Sequence, residues 1–429
     1  MVSLVIAGGQ WGDEGKAKVT DLLSLKADYV VRYQGGVNAG HTVSVPDGVF
    51  KFHLIPSGIL TPGKICVIGP GTVIEPKALI KEINDLKEKK ISLEGLRISG
   101  IAHITMPWHI LIDQATDTIG STGRGIGPTY TDKAKRIGVQ LHELLDREIL
   151  EAKLTQILPK QNQTLQKIHA LQEFTLQEVL EEYLAYGKEL SPYISDTVNE
   201  LHLARKAKKN IIYEGAQGTL LDITFGTYPY VTSSTPVTGG ACTGAGIGPT
   251  AIDYTLGVFK AFITRVGDGP FPSEIQSEDL QAGMLRQDGT QWAEYGTTTG
   301  RMRRVGWFDA VLGRYAARIN SFSGIALTKL DTLSAFDEIL ICVAYRHRLS
   351  GELIQDIPHL STSLLAQCEP VFQVVEGWKV DIHKITSWGK LPSKARHYVE
   401  MIGQLLEVPV AIVSTGPSRE DSIFLHEII

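Results

Sequence analysis

The residues of this chain that could do chemistry lie in glycine-rich clusters, and the first cluster carries most of them. Gly9 to Lys18 reads GQWGDEGKAK, preceded by the apolar run from Val5 to Gly8 and followed by the helical pattern VTDLLSL. Backbone N–H groups at a helix start, with a lysine beside them, cradle phosphate. The standard nucleotide loop, GxxxxGK followed by Ser or Thr, uses that hydroxyl to hold magnesium. Here Gln10 stands at the first glycine's place and Ala17 follows Lys16, so another hard oxygen must replace the hydroxyl. Asp13, inside the loop, is the nearest. The competing reading is a tight strand-to-helix turn whose Asp13 and Glu14 cap the helix and face water.

The second cluster, YQGGVNAGHT (Tyr33 to Thr42), offers the amide of Asn38 and the imidazole of His41. An isolated histidine is more often packed or solvated than catalytic. Gly40 leaves room for a ligand beside this one, and near a polyphosphate it can give a hydrogen bond or a proton to a developing oxyanion. Thr328-Lys329-Leu330-Asp331 suits guanine: the carboxylate accepts N1–H and the exocyclic N–H while the lysine stem lies along the base. Adenine presents the opposite polarity. Alone, these four residues describe a capped strand end equally well. Ser414-Thr415-Gly416-Pro417, after VPVAIV, would form a second wall of the same pocket.

GTTTGRMRRVGW (Gly296 to Trp307) puts three threonines and three arginines in a dozen residues, which suits a loop closing on carboxylate or phosphate more than a solvated face. GSTGRGIGPTYTDK (from Gly120), EGAQGTLLDI (from Glu214) and YPYVTSS (from Tyr228) add Thr122, Arg124, Gln217 and Thr232. Two nucleotide-sized phosphate sites and a small acidic substrate would account for so many anion-reading loops.

Strand, glycine loop and helix in repeated succession predict a mostly parallel sheet with ligands at the strands' carboxyl ends. The expected strands end at Gly8, Arg32, Tyr213 and Leu327. Leu150, Leu154, Ile157 and Leu158 follow helical spacing in a polar segment, which predicts an amphipathic scaffold helix broken at Pro159. With no internal repeat or proline-rich linker, residues 1–429 are expected to form one unit with a helical excursion over about 141–205. The 43% hydrophobic and 21% charged composition excludes disorder, collagen and coiled coil, and a net charge of −5 argues against a nucleic-acid partner. No uninterrupted apolar run is long enough for a membrane helix, and MVSLVIAGG reads as a buried first strand. The four cysteines (66, 242, 342 and 368) lack metal spacing and suit core thiols in a reducing, cytoplasmic setting.

Taken in order, GQWGDEGKAK, YQGGVNAGHT, STGRGIGPTYTDK, EGAQGTLLDI, GTYPYVTSS, TTTGRMRRVGW, TKLD and STGP resemble the motifs of adenylosuccinate synthetases, from residue 4 to beyond residue 417. The resemblance implies an α/β fold related to P-loop NTPases: a large, mostly parallel central sheet flanked by helices, with helical and small β excursions. It implies a cytoplasmic homodimer and GTP-dependent ligation of IMP and L-aspartate to adenylosuccinate, in AMP biosynthesis. GDP and phosphate are released, magnesium is required, and a 6-phosphoryl-IMP intermediate forms.

Carried onto these positions, the family pattern makes Asp13 the base that takes the N1 proton of IMP, His41 the acid at the transferring phosphoryl group, and Lys16 and Gln217 their catalytic partners. Magnesium falls to Asp13 and the carbonyl of Gly40. GTP falls to Gly12, Asp13, Glu14, Gly15, Lys16, Ala17, Lys18, Gly40, His41, Thr42 and Arg303, with Lys329, Leu330, Asp331, Ser414, Thr415 and Gly416 around its base. IMP falls to residues 13–16, Asn38, Ala39, Gly40, His41, Thr122, Gln217, Thr232 and Arg301, with Arg136 reaching across from a second subunit. Aspartate falls to Thr297, Thr298, Thr299, Gly300, Arg301, Met302 and Arg303. Ala17 (glycine in the family's usual pattern), Val37, Thr235 and Gln140 depart from it. A switch GTPase would leave the arginine loop idle, a ligase acting on a dGMP-type nucleotide would alter position 13, and a binding-only paralogue would lose Asp13, Lys16, His41 or Gln217.

Overall fold

Apolar runs ending in glycine become parallel strands because both faces of each are buried. The structure, a computed structural model, describes residues 1–45, 48–116, 120–276, 278–287, 290, 293–295, 300 and 302–429. Its centre is a ten-stranded sheet. In chain order the strands are β1 (Ser3–Gly8), β2 (Tyr29–Arg32), β3 (Ile65–Ile68), β4 (Leu96–Ser99), β5 (Ile194–Ser195), β6 (Ile211–Glu214), β7 (Tyr254–Lys260), β8 (Gly324–Thr328), β9 (Val410–Ser414) and β10 (Ser422–Phe424). Across the sheet the order is β10-β9-β8-β7-β1-β6-β2-β3-β4-β5. Every neighbouring pair is parallel except β9 with β10. Parallel pairing puts the loops after β1, β2, β6, β7, β8 and β9 on one edge of the sheet, where such folds bind ligands. Smaller excursions include the hairpin His41–Val45 with Gly48–Phe52 and a sheet built on the long strand Glu338–His347.

The helical excursion differs from expectation in two respects. The helix Arg147–His169 runs straight through Pro159 instead of breaking there. Proline removes one N–H and leaves the carbonyl of Thr155 unserved. Both residues lie on the exposed side, where water can serve that carbonyl. Meanwhile Leu150, Leu154, Leu158 and Leu165 are buried on the opposite face and hold the helix to the core. The excursion also returns to the sheet before it ends, contributing the edge strand β5 ahead of the helix Thr197–Lys206.

Among the departures from the family pattern, Val37 packs in the main apolar cluster and Gln140 caps the short helix Leu141–Leu145. Among the described residues, all four cysteines are free and no helix is long and apolar enough to cross a membrane.

A buried carboxylate outside the site predicts a measurable pH effect. Asp309 caps the helix Ala310–Asn320, accepting the N–H of Leu312 at 3.1 Å and the hydroxyl of Tyr345 at 2.7 Å. Burial pushes its pKa up to about 6, against those hydrogen bonds. The folded state therefore binds a proton that the unfolded state has released between roughly pH 4 and 6, and stability falls as pH rises through that window. Relative to the parent, Asp309→Asn is expected to gain roughly 3 kcal/mol between pH 4 and 7, since each tenfold change in proton affinity is worth about 1.4 kcal/mol. Urea unfolding of both proteins across that range checks it, and a pH-independent difference between them would refute it.

Candidate active site

The glycine loop after β1 turns through conformations that few side chains tolerate. Gly12 and Gly15 have φ of 88° and 90°, and Asp13 between them has φ of 60°. A left-handed aspartate is uncommon, and such strain gathers at functional positions. Gly9 passes so close to the Phe259 ring that a Cβ there would lie 2.1 Å from it. Beneath the loop, Trp11 donates its N–H to Thr227 Oγ1 at 3.2 Å, and the Arg265 guanidinium lies 4.6 Å from its ring. The Thr328 hydroxyl, ending β8, donates to the Glu14 carbonyl at 2.6 Å, so the TKLD turn is fastened to the first loop.

A cleft of about 1410 Å³ opens at this edge, lined by Gly12, Asp13, Gly15, Lys16, Ala17, Asn38, Ala39, Gly40, His41, Thr42, Thr122, Gln217, Thr232, Gly300 and Arg303 among others. Asn38 Nδ2 donates to Thr232 Oγ1 at 3.4 Å, joining two separate clusters. Gln217 lies in the left-handed region (φ 54°), and both polar atoms of its amide are buried with no hydrogen-bond partner among the described residues. A polar group left so is costly unless something else satisfies it. His41 is 5% exposed and hydrogen-bonds through Nδ1 to the fully buried carboxylate of Glu214.

Glu14 does not present its carboxylate to the cleft. Its Oε1 accepts the N–H groups of Gln10 and Gly12 at 3.0 and 2.9 Å, and its Oε2 pairs with Lys16 Nζ at 2.6 Å. Only its backbone is left to meet a ligand. Lys18 is likewise engaged: its ammonium donates to Ser414 Oγ, Gly416 O and Asp421 O at 2.5, 2.6 and 3.0 Å. Burial lowers its pKa to about 8, opposed by Asp421, Asp331 and Glu420. It holds the 414–421 segment, aided three residues on by Asp21, which pairs with Arg419 through both carboxylate oxygens at 2.6 and 2.8 Å.

Lys329, Leu330, Asp331 and Ser414 to Gly416 form a neighbouring group outside the main cleft lining; Leu330 and Thr415 are fully buried. Arg136 is exposed at the end of the helix Ile126–Lys135, between the cleft-lining residues Lys135 and Ile137, and Met302 is half exposed. Thr297, Thr298, Thr299 and Arg301 lie outside the described residues.

One charge cluster escaped sequence reasoning. Glu294, fully buried, holds Lys260 Nζ at 2.8 Å and Arg303 on one oxygen. Lys329 lies 3.0 Å from the other oxygen, an ion pair without hydrogen-bond alignment. Arg303 in turn pairs with Asp13 at 2.8 Å. Burial would raise the Glu294 pKa, but Lys260, Lys329 and Arg303 outweigh it and hold the carboxyl well below the usual range. Burial lowers Lys260 to about 8 despite Glu294. A lysine ending the apolar strand TLGVFK was a visible signal; nothing local marked Glu294.

A strained carboxylate, a buried imidazole and an unsatisfied amide facing one cleft, at the carboxyl edge of a parallel sheet, define the class as an α/β enzyme that works on nucleotides. The adenylosuccinate synthetase family model matches residues 5–423. Adenylosuccinate synthetases of Prochlorococcus marinus (strain MIT 9313) and Synechococcus sp. (strain CC9902) are 49% and 50% identical, each alignment covering 100% of this chain and 97% of the relative. The fully ligated adenylosuccinate synthetase from Plasmodium falciparum superposes with a TM-score of 0.92 at 38% identity, over 99% of both chains. The succinoaminodeoxyadenylate synthetase of cyanophage S-2L, bound to dGMP and dATP, shares the fold (TM-score 0.62, 18% identity, 99% of this chain and 96% of that one). The chain belongs to the adenylosuccinate synthetase family, which joins IMP and aspartate at the expense of GTP on the way to AMP.

Proposed function

We propose that this chain carries out that ligation with the residues gathered at the cleft. Asp13 takes the N1 proton of IMP, which makes the 6-oxygen nucleophilic toward the γ-phosphorus of GTP. His41 hydrogen-bonds the phosphoryl group in transfer. The aspartate amine then displaces phosphate from the 6-phosphoryl intermediate, so catalysis is positioning and electrostatics. The observation that carries the reading is the Gln217 amide, buried and without a partner among the described residues in the same cleft as Asp13 and His41, a suitable partner for a purine lactam. Arg303, already ion-paired to Asp13, ties it to the aspartate loop.

The Asp13 carboxylate and the Gly40 carbonyl, both at the cleft, suit magnesium, which takes hard oxygens and leaves its other positions to phosphate and water. When bound, the ion neutralises charge on the phosphates. Lys16 and the loop amides hold phosphate, Asn38, Thr122 and Thr232 hold IMP, and residues 297–303 hold aspartate. Lys329 and Asp331 read guanine. Arg136, exposed beside the cleft residues Lys135 and Ile137, suits a contact made to a second copy in a homodimer. Strands from residue 3 to residue 424 in one sheet support a single catalytic unit, and free cysteines suit the cytoplasm. An absorbance assay of the change from IMP to its N6-substituted product, omitting IMP, aspartate, GTP and magnesium in turn, tests the reading. Product formed without any one of them would refute it.

The Asp21–Arg419 pair makes a narrower prediction. Arg419→Ala removes the clamp on the 414–421 loop and is expected to raise KM for GTP roughly tenfold, the worth of about 1.4 kcal/mol. KM for IMP is expected to stay within twofold. Equal changes in both would mean that the pair only stabilises the fold.

A further inference from the structure

We infer that Glu214 is the positioning residue for His41, fixing the ring's tautomer and aim. The inference rests on the reading of His41 given above. Glu214 ends β6, between β1 and β2, and is fully buried. Its carboxylate accepts three hydrogen bonds: from His41 Nδ1, from the Ser57 backbone N–H at 2.9 Å, and from the Ser57 hydroxyl at 2.7 Å. The two bonds from Ser57 lock the carboxylate. An ionised carboxylate can only accept, so the proton between Glu214 and the ring belongs to Nδ1. That leaves Nε2 as the ring nitrogen available to a ligand.

The surrounding charges favour an ionised Glu214. Arg32 is its register partner on β2, 1% exposed, and the Nε and Nη1 of that guanidinium have no hydrogen-bond partner among the described residues. Lys16 also acts on the imidazole, and Glu82, Tyr130 and Tyr33 act on Arg32. Burial would raise the Glu214 pKa, but His41, Arg32 and the Ser57 hydroxyl together hold it below the usual carboxylate range. Glu214 is three residues from Gln217, so one turn after β6 presents an amide to the cleft and steadies the imidazole beside it. A histidine whose second nitrogen is fixed by a carboxylate is a recurring way to set tautomer and orientation.

The test is Glu214→Gln in the full chain. Glutamine has one acceptor oxygen for three donors, and its amide N–H groups oppose those of Ser57 or His41. Expected are a kcat lower by about 10²-fold, a typical worth for a positioned acid, and KM values for GTP, IMP and aspartate within threefold. ¹⁵N spectra of the His41 ring should lose the Nδ1–H signature. On a His41→Ala background the same change should cost no further activity. If His41→Ala itself leaves kcat intact, the reading of His41 fails. If His41→Ala lowers kcat and Glu214→Gln does not, or lowers it equally on both backgrounds, this inference alone fails. Should the variant not fold, the parent's ring decides: Nδ1–H in the ligand-free enzyme supports the assignment, and Nε2–H overturns it.

Discussion

Replacing Asp13 with asparagine is expected to cut kcat by about 10³- to 10⁴-fold while the protein stays folded. The upper part of the range for a general base applies because the same oxygens would also ligate the metal. Asparagine is the informative substitution because it tolerates the left-handed conformation that residue 13 adopts at φ 60°. Its carbonyl can still accept from Arg303, so the loop keeps its anchor and the lost chemistry is isolated. KM for GTP and IMP is expected to change far less than kcat. Thermal melting and single-turnover kinetics check both halves. Turnover within tenfold of the parent would remove Asp13 from the proton transfer.

Asp331→Asn is expected to lower kcat/KM for GTP by about 10²-fold, because the exocyclic N–H of guanine loses its acceptor and meets an N–H instead. The same substitution should improve the use of a xanthosine triphosphate, whose C2 carbonyl pairs with the new amide. Burial raises the Asp331 pKa, opposed by Lys329, Lys18 and His383. Only the ionised carboxylate accepts both base protons, so KM for GTP in the parent should rise as pH falls, starting at a higher pH than an ordinary aspartate would give. The asparagine variant should lack that dependence. An unchanged nucleotide preference in Asp331→Asn would overturn the guanine assignment.

What was legible in the sequence is what short range determines. The glycine loop, the strands that end in it and the TKLD turn each announce themselves within a dozen residues, and parallel pairing then collects them on one edge. The stripe from Leu150 to Leu158 gave the helix and its buried face. Pro159 misled because local propensity argues for a break, whereas packing on both sides of it decides otherwise. The inward turn of Glu14 could not be read, since any loop acid looks solvent-facing until the N–H groups of Gln10 and Gly12 are seen to converge on it. Contacts across long separations left no trace: Glu294 with Lys260, Glu214 with His41, and Asp21 with Arg419 lie 34, 173 and 398 positions apart.

The helix Lys16–Ser24 takes part in two walls at once. Its first turn closes the glycine loop and carries Lys18, which with Asp21 just beyond grips the segment around Ser414 and Arg419. These walls cannot separate without dragging an ammonium group and a carboxylate off their partners. A molecule bridging them therefore meets a gauge of fixed span and not a hand that closes to fit. Compounds of the wrong length between ring and terminal anion would be turned away by the rigidity of a single nine-residue rod.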